Sequence, residues 1–446
     1  MSPRVAVVGS GPSGLYTVAG LVASKVPMAI DVIDRLPTPF GLVRYGVAPD
    51  HAKMKIVSKV LAKPFARDEI RYLGNVEVGR DVSHAELVEL YDAVVYASGT
   101  EHDRRLGVPG EDLPGVLGAG EFVRWYNGHP DVAVTHYDLK ARSVAVVGAG
   151  NVALDVARVL SRTAGELRDT DVPARVFDAL AGSRVCDVHV LVRRGPAEAK
   201  FTPAELFQLT ELADVDVVLH TGGVPVPEPD SATDKRVRQN LEIFQSFVET
   251  PPRNRSRRLH LHFGVAPREI AGDGRVERIV VEHTAPHEER LVATGEQAVL
   301  PVDLVVTAVG FRGAAVPGLP FDEATGTVPN DAGRVLADGA SVPGVYVAGW
   351  LKRGPVGVIG SNRPDGAETA AAVLDDLPAD ARSRGGGLLS LLAEREIQVT
   401  DWDGWLRLEA YEGTLGHDSG RGRVKVHDLT SMLIHAGPQR FGMDTG

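Results

Sequence analysis

Two glycine-rich strings are the residues of this chain best suited to chemistry: Gly9-Ser10-Gly11-Pro12-Ser13-Gly14 and Gly148-Ala149-Gly150-Asn151-Val152-Ala153. Each comes directly after an apolar run, Val5-Ala6-Val7-Val8 in one case and Val144-Ala145-Val146-Val147 in the other. In a strand–turn–helix, the first glycine permits the tight turn and the second lets the backbone approach a pyrophosphate. The third small residue lets helix and strand pack closely. One such turn implies dinucleotide binding; two imply electrons passing from one dinucleotide to another.

The strand after each turn separates the two ligands. Asp34 closes the run Ile30-Asp31-Val32-Ile33 about 20 residues past Gly14, where a carboxylate accepts hydrogen bonds from an adenosine ribose. After the second turn, the run Val188-His189-Val190-Leu191-Val192 ends instead in Arg193-Arg194-Gly195. Two guanidinium groups in the acid's place suit a 2′-phosphate, and hence NADP rather than NAD.

These residues need strands and helices to position them. Residues 1–100 read as strand, phosphate turn, helix, strand to Asp34, a helical stretch near 52–65, and the strand Ala93-Val94-Val95-Tyr96-Ala97. Residues 142–194 repeat the plan. Residues 200–250 read as helical, and 255–312 alternate like strands. The strand Val345-Tyr346-Val347-Ala348-Gly349 leads into a glycine-rich segment and a helix near 365–377. The end of the chain reads as irregular to helical, with Gly385-Gly386-Gly387 as a flexible break. The expected fold is α/β with two Rossmann-like domains in a glutathione-reductase-like architecture. Residues 1–104 and 315–446 form an outer dinucleotide domain, and 105–314 form an NADP domain inserted into it.

The only cysteine among 446 residues is Cys186. That excludes an internal disulfide, a Cys-ligated cluster and a CxxC redox pair. A formal net charge of −11 argues against general nucleic-acid binding. Basic strings remain at Lys235-Arg236-Val237-Arg238, at 253–258 and at Lys352-Arg353. No run reaches the ~18 apolar residues of a membrane span. The first strand begins almost at Met1 and leaves no room for a transit peptide, so the expected location is the cytoplasm.

Several longer strings have no generic explanation: Leu36-Pro37-Thr38-Pro39-Phe40-Gly41-Leu42-Val43-Arg44, Gly46-Val47-Ala48-Pro49-Asp50-His51, Gly150-Asn151-Val152-Ala153-Leu154-Asp155-Val156-Ala157-Arg158, Arg193-Arg194-Gly195-Pro196, and Gly349-Trp350 through Lys352-Arg353-Gly354-Pro355 to Gly357-Val358-Ile359-Gly360. Together they resemble adrenodoxin reductase and its bacterial ferredoxin–NADP reductase relatives, from the first strand to about residue 375. Two departures are Ala52, where relatives often carry proline, and Asp34, where some carry glutamate.

The resemblance implies FAD at the first turn and NADPH at the second, with electrons sent on to a ferredoxin or adrenodoxin-like iron–sulfur protein that could feed a cytochrome P450. For FAD it implies Ser13, Asp34, Leu42, Val78, Trp350, Gly357, Val358 and Ile359, beside Gly9, Gly11 and Gly14 of the turn. For NADP it implies Asn151, Val152, Ala153, Arg193, Arg194, Glu205 and again Gly357, beside Gly148 and Gly150. A helix start near Gly357 and Gly360 would suit the negative charge that a reduced flavin carries. Asp155 lies in an apolar helix and needs a partner. Arg158 at i+3 offers an intrahelical ion pair. The resemblance adds His51, making His51 and Asp155 the candidate catalytic pair. Two other functions share the motifs: an FAD/NADPH monooxygenase, which would need a substrate domain not evident here, and a non-catalytic dinucleotide sensor.

Overall fold

Runs of β-branched residues without interior charge predict strands buried on both faces, which is how parallel sheets read. A computed structural model, describing residues 2–100, 102–132, 137, 139–222, 225–231, 234–288, 290–378 and 387–437, bears this out. The chain divides into two compact units. One comprises Met1–His102, Asn127–Ala133 and Phe311–Gly446, and the other Asp103–Tyr126 and Val134–Gly310.

In the first unit, Arg4–Val8 pairs in parallel with Ala29–Asp34 on one side and Ala93–Tyr96 on the other. Ile70–Gly74 extends the sheet beyond Ala29–Asp34, and Ala340–Val347 extends it beyond Ala93–Tyr96. Alternate residues fill two cores. Val5, Val7, Ile30, Val32 and Val95 face helices that include Pro12–Ala23 and Trp402–Asp418. Ala6, Val8, Ile33, Val94 and Tyr96 face a second core with Leu388 and Leu392. The switch from period two to helical period falls at the Gly9–Gly14 turn, because Pro12 pre-sets the first helical residue and lacks only an N–H that the helix start leaves unused.

Residues 127–132, which the sequence places in the NADP domain, belong with this first unit. Arg35 makes a two-pronged ion pair with Asp131, His129 packs edge-on against Tyr45, and Asn127 accepts from Lys425 at 3.3 Å. No motif marks this excursion.

The second unit holds a six-stranded parallel sheet in the order 116–118, 304–307, 143–147, 187–192, 257–263, 215–220. A three-stranded antiparallel sheet, Val265–Ala271, Arg278–His287 and Arg290–Pro301, packs apolar side chains such as Ile270, Ile279 and Val281 against Ala145, Val147 and Leu191. The expectation that 200–250 is helical fails over Val215–His220, a strand at the sheet edge. Its run Val-Asp-Val-Val-Leu-His is β-branched and finds a partner in Arg257–Phe263, so pairing overrides the helical reading. The helix Lys235–Glu249 does form.

The described residues include no helix long and apolar enough to cross a membrane. Gly385 and Gly386 of the expected flexible break lie outside the described residues.

Candidate functional site

The first glycine turn is built to exclude side chains. Gly9 adopts φ +107°, and a Cβ there would overlap the Ala97 carbonyl oxygen. At Gly14 a Cβ would overlap the Gly9 carbonyl oxygen. Gly11 meets nothing nearer than the Gly41 Cα at 3.9 Å, so its outer face is open where a pyrophosphate would approach. Gly41 packs against it, and the Phe40 N–H donates to the Ser10 carbonyl at 3.0 Å. The string around Leu42 is thereby laid beside the turn, with Leu42 exposed. Val78 is half-buried against the second core of this unit.

Asp34 sits where the ribose acid is expected and also braces the turn. It accepts from the Ser10 N–H at 2.8 Å, from the Ser10 hydroxyl at 2.5 Å and from the Leu36 N–H at 3.0 Å. Burial pushes its carboxyl up from the usual range, against the pull of these donors. A carboxylate offers about four lone-pair positions, so it retains capacity for a ribose hydroxyl.

The returning strand closes this cradle from the other end of the sequence. Gly349 adopts φ +75°, and a Cβ there would overlap the Ser13 hydroxyl. Ser13 donates to the Asn362 side-chain oxygen at 2.9 Å, and the Gly349 N–H donates to Asp365 at 2.6 Å. Asn362 and Asp365 open the helix Asn362–Asp376. Trp350 stacks on Phe311 with ring centroids 6.0 Å apart. Gly357, Val358 and Gly360 are exposed, Ile359 is half-buried, and Gly357 adopts φ +95°. Lys352 and Arg353 are engaged locally: Lys352 lies 3.3 Å from Asp365, and Arg353 donates to Asn362 at 2.8 Å.

Sequence reasoning misses Asn362 and Asp365, which no glycine motif marks. It also misses the anchor of the loop that carries Leu42 and His51. Arg44 is buried and bidentate to Glu412, at 3.1 and 2.5 Å. Its guanidinium lies over Trp405 at 5.1 Å, and Lys425 donates to its carbonyl at 2.7 Å. The Glu412 pairing holds the Arg44 guanidinium charged despite its burial. His51 is 5% exposed and precedes the short helix Ala52–Lys55.

In the second unit the turn obeys the same logic with a division of labour. A Cβ at Gly148 would overlap the Ala308 carbonyl oxygen, whereas one at Gly150 meets nothing within 4 Å. Gly148 therefore permits packing, and Gly150 leaves the approach clear. Asn151 fixes the neighbouring loop by accepting from the Thr202 N–H at 2.9 Å. Val152 is half-buried and Ala153 fully buried against the strand.

Arg193 and Arg194 come directly after the strand Asp187–Val192. Arg193 is exposed, with its guanidinium in no ion pair among the described residues; Arg194 pairs with Glu198 at 2.7 Å, both half-exposed. Asp155 pairs with Arg158 at 2.7 Å, the intrahelical alternative. Arg158 is fully buried and also lies 3.5 Å from buried Glu205. One guanidinium thus serves two carboxylates to which the family resemblance gives separate roles.

The chain is similar to proteins of known activity over nearly its whole length. A family model described as pyridine nucleotide-disulphide oxidoreductase matches residues 3–221. The NADPH-ferredoxin reductase FprA of Mycobacterium tuberculosis is 40% identical over 452 residues, spanning 96% of this chain and 98% of that protein. The mitochondrial NADPH:adrenodoxin oxidoreductase of Arabidopsis thaliana is 36% identical, spanning 97% of this chain and 95% of that protein. A solved structure of Mycobacterium tuberculosis FprA in complex with NADPH superposes with a TM-score of 0.92 at 38% identity, covering 98% of this chain and 100% of that one.

Proposed function

The chain belongs to the family of NADPH-ferredoxin and adrenodoxin reductases, and from that membership we propose that its two glycine turns divide the labour, FAD at 9–14 and NADPH at 148–153. It is a flavoprotein oxidoreductase acting between NADPH and a ferredoxin or adrenodoxin-like iron–sulfur protein. The flavin supplies the conversion between a two-electron hydride donor and a one-electron acceptor. The observation that carries the assignment is the contrast after the turns: Asp34 closes one strand, and Arg193-Arg194 succeed the other. We place the protein in the cytoplasm.

The chain's own residues bind and orient. Open faces at Gly11 and Gly150 admit pyrophosphates onto helix starts. Asp34 takes the FAD ribose, and Arg193 and Arg194 take the 2′-phosphate. Ser13, Leu42, Val78, Trp350, Gly357, Val358 and Ile359 line the flavin. Asn151, Val152, Ala153 and Glu205 line the nicotinamide nucleotide. An absorbance spectrum before and after anaerobic NADPH tests the reading. A yellow protein that bleaches supports it; a colourless one that never takes up FAD refutes it.

His51 and Asp155 are proposed to shape delivery to the acceptor rather than the hydride step, which needs no protein acid or base. His51→Gln is expected to keep NADPH-to-flavin reduction within about tenfold and to slow iron–sulfur reduction more. Stopped-flow reduction beside ferredoxin turnover checks this, and a dead hydride step would overturn it.

Of the three basic strings, 235–238 best suits an acidic partner. Arg255 donates to the Leu212 carbonyl and Arg257 to the Ser161 carbonyl, so both are bound into the fold, as are Lys352 and Arg353. Lys235, Arg236 and Arg238 are exposed at the start of the helix Lys235–Glu249. Cations there oppose the helix dipole and cost local stability. Ferredoxin reduction is expected to fall about tenfold from low to high salt. Replacing these three residues by alanine should flatten that dependence; an unchanged slope would count against the patch.

A further inference from the structure

Four histidines gather on one face of the second unit's parallel sheet, apart from every residue assigned to a cofactor. His189 lies on Asp187–Val192, His260 and His262 on Arg257–Phe263, and His220 ends Val215–His220. The register explains the gathering. His260 is directly opposite His189, and His262 is directly opposite His220. Residues 260 and 262 share a face because strand side chains alternate.

The rings interlock. His189 Nδ1 and His262 Nε2 are 3.0 Å apart, and His220 Nε2 and His260 Nδ1 are 2.9 Å apart. His189 stacks on His260, and His220 stacks on His262. One nitrogen from each of His189, His260 and His262 lies within 4.8 Å of the other two. Nitrogens bound at about 2.0–2.1 Å to one zinc ion stand about 3.3 Å apart in a tetrahedron, so the stacked His189 and His260 rings would turn out of parallel to bring their lone pairs onto one ion.

A carboxylate completes the pattern. His260 Nε2 lies 3.2 Å from Asp187 Oδ1, and Asp187 is itself held by Arg258 at 2.7 Å. Donation from Nε2–H to Asp187 leaves Nδ1 as the acceptor, where it now meets His220 Nε2 at 2.9 Å. This carboxylate–histidine relay is the usual support of a metal-bound imidazole. Among the described residues no other polar network claims the three rings, which are only half-buried and so reachable from solvent.

The geometry points to a divalent transition-metal site, zinc being the best match, with His189, His260 and His262 as ligands and His220 or water completing the shell. Such an ion would clip together two strands drawn from distant parts of the sequence, and a third where His220 completes the shell. His189 also shares a strand with the segment leading to Arg193, four residues on, about 13 Å along an extended chain.

The test is competition for Zn²⁺ between the FAD-loaded full chain, stripped with chelator, and a chromophoric zinc indicator. One ion per chain at micromolar or tighter affinity is expected. The double substitution His189→Gln/His262→Gln should weaken it at least about 100-fold, and Asp187→Asn about 10-fold. His417→Gln, on an exposed helix face elsewhere, should leave it unchanged. X-ray absorption on the zinc-loaded protein supplies a readout that needs no variant, with three or more imidazole nitrogens at about 2.0 Å expected. A shell without imidazole, or equal affinity in the double variant, would overturn the assignment.

Discussion

Replacing Arg193 and Arg194 together by alanine is expected to raise the Michaelis constant for NADPH by about two to four powers of ten, while that for NADH moves little. Each guanidinium would make charge-assisted bonds to the 2′-phosphate worth about 1.5–3 kcal/mol. NADH lacks that phosphate and loses nothing comparable. The structure adds a reason for both residues to be available. Among the described residues Arg193 is exposed and in no ion pair, and the Arg194 guanidinium is in a half-exposed pair with Glu198. Pairs of that kind are worth about 0–1 kcal/mol, so a dianionic phosphate displaces Glu198 readily. Ferricyanide reduction with each nucleotide gives the two constants. Equal losses for both would refute the assignment of this site to NADP.

The second large effect separates two glycines only two positions apart. Gly150→Ala is expected to fold, load FAD and melt close to the wild type, yet bind NADPH about tenfold to a hundredfold more weakly. Its φ of −113° suits alanine and its Cβ would meet nothing of the protein within 4 Å, so the added methyl intrudes only on the pyrophosphate's approach. Crowding of that kind costs about 1–3 kcal/mol. Gly148→Ala is expected to show its damage in stability first. Its methyl collides with the Ala308 carbonyl just past the adjacent strand, and backbone cannot step aside as a side chain can. Thermal melts and NADPH titrations of the two variants give the contrast. Equal melting temperatures, or an unaltered NADPH affinity in Gly150→Ala, would undo the division drawn between them.

Both turns are legible in the chain because a strand, a glycine turn and a helix start occupy consecutive residues, and local chemistry dictates all three. The same holds for Asp34 and for Arg193-Arg194, which sit at the ends of strands whose apolar runs are plain. The features hidden in the chain are tertiary. Val215–His220 reads as helix until Arg257–Phe263 lies beside it. Residues 127–132 join the first unit through Asp131, His129 and Asn127, single polar residues with no periodic signature. Glu412 finds Arg44 across more than 360 positions of sequence. The spacing of His260 and His262 tells that they share a face. Only strand order tells that His189 and His220 share it too.

The pairing of Arg44 with Glu412, and of Ala93–Tyr96 with Ala340–Val347, bears on the order in which the molecule can assemble as it leaves the ribosome. The inserted unit has all of its strands once residue 310 has emerged. The outer unit by then has its amino-terminal half but neither its returning strand nor the carboxylate that neutralises Arg44. An apolar sheet edge and a charged side chain destined for the interior must wait for the last part of translation. That interval is when the nascent chain is most exposed to aggregation and most in need of chaperones.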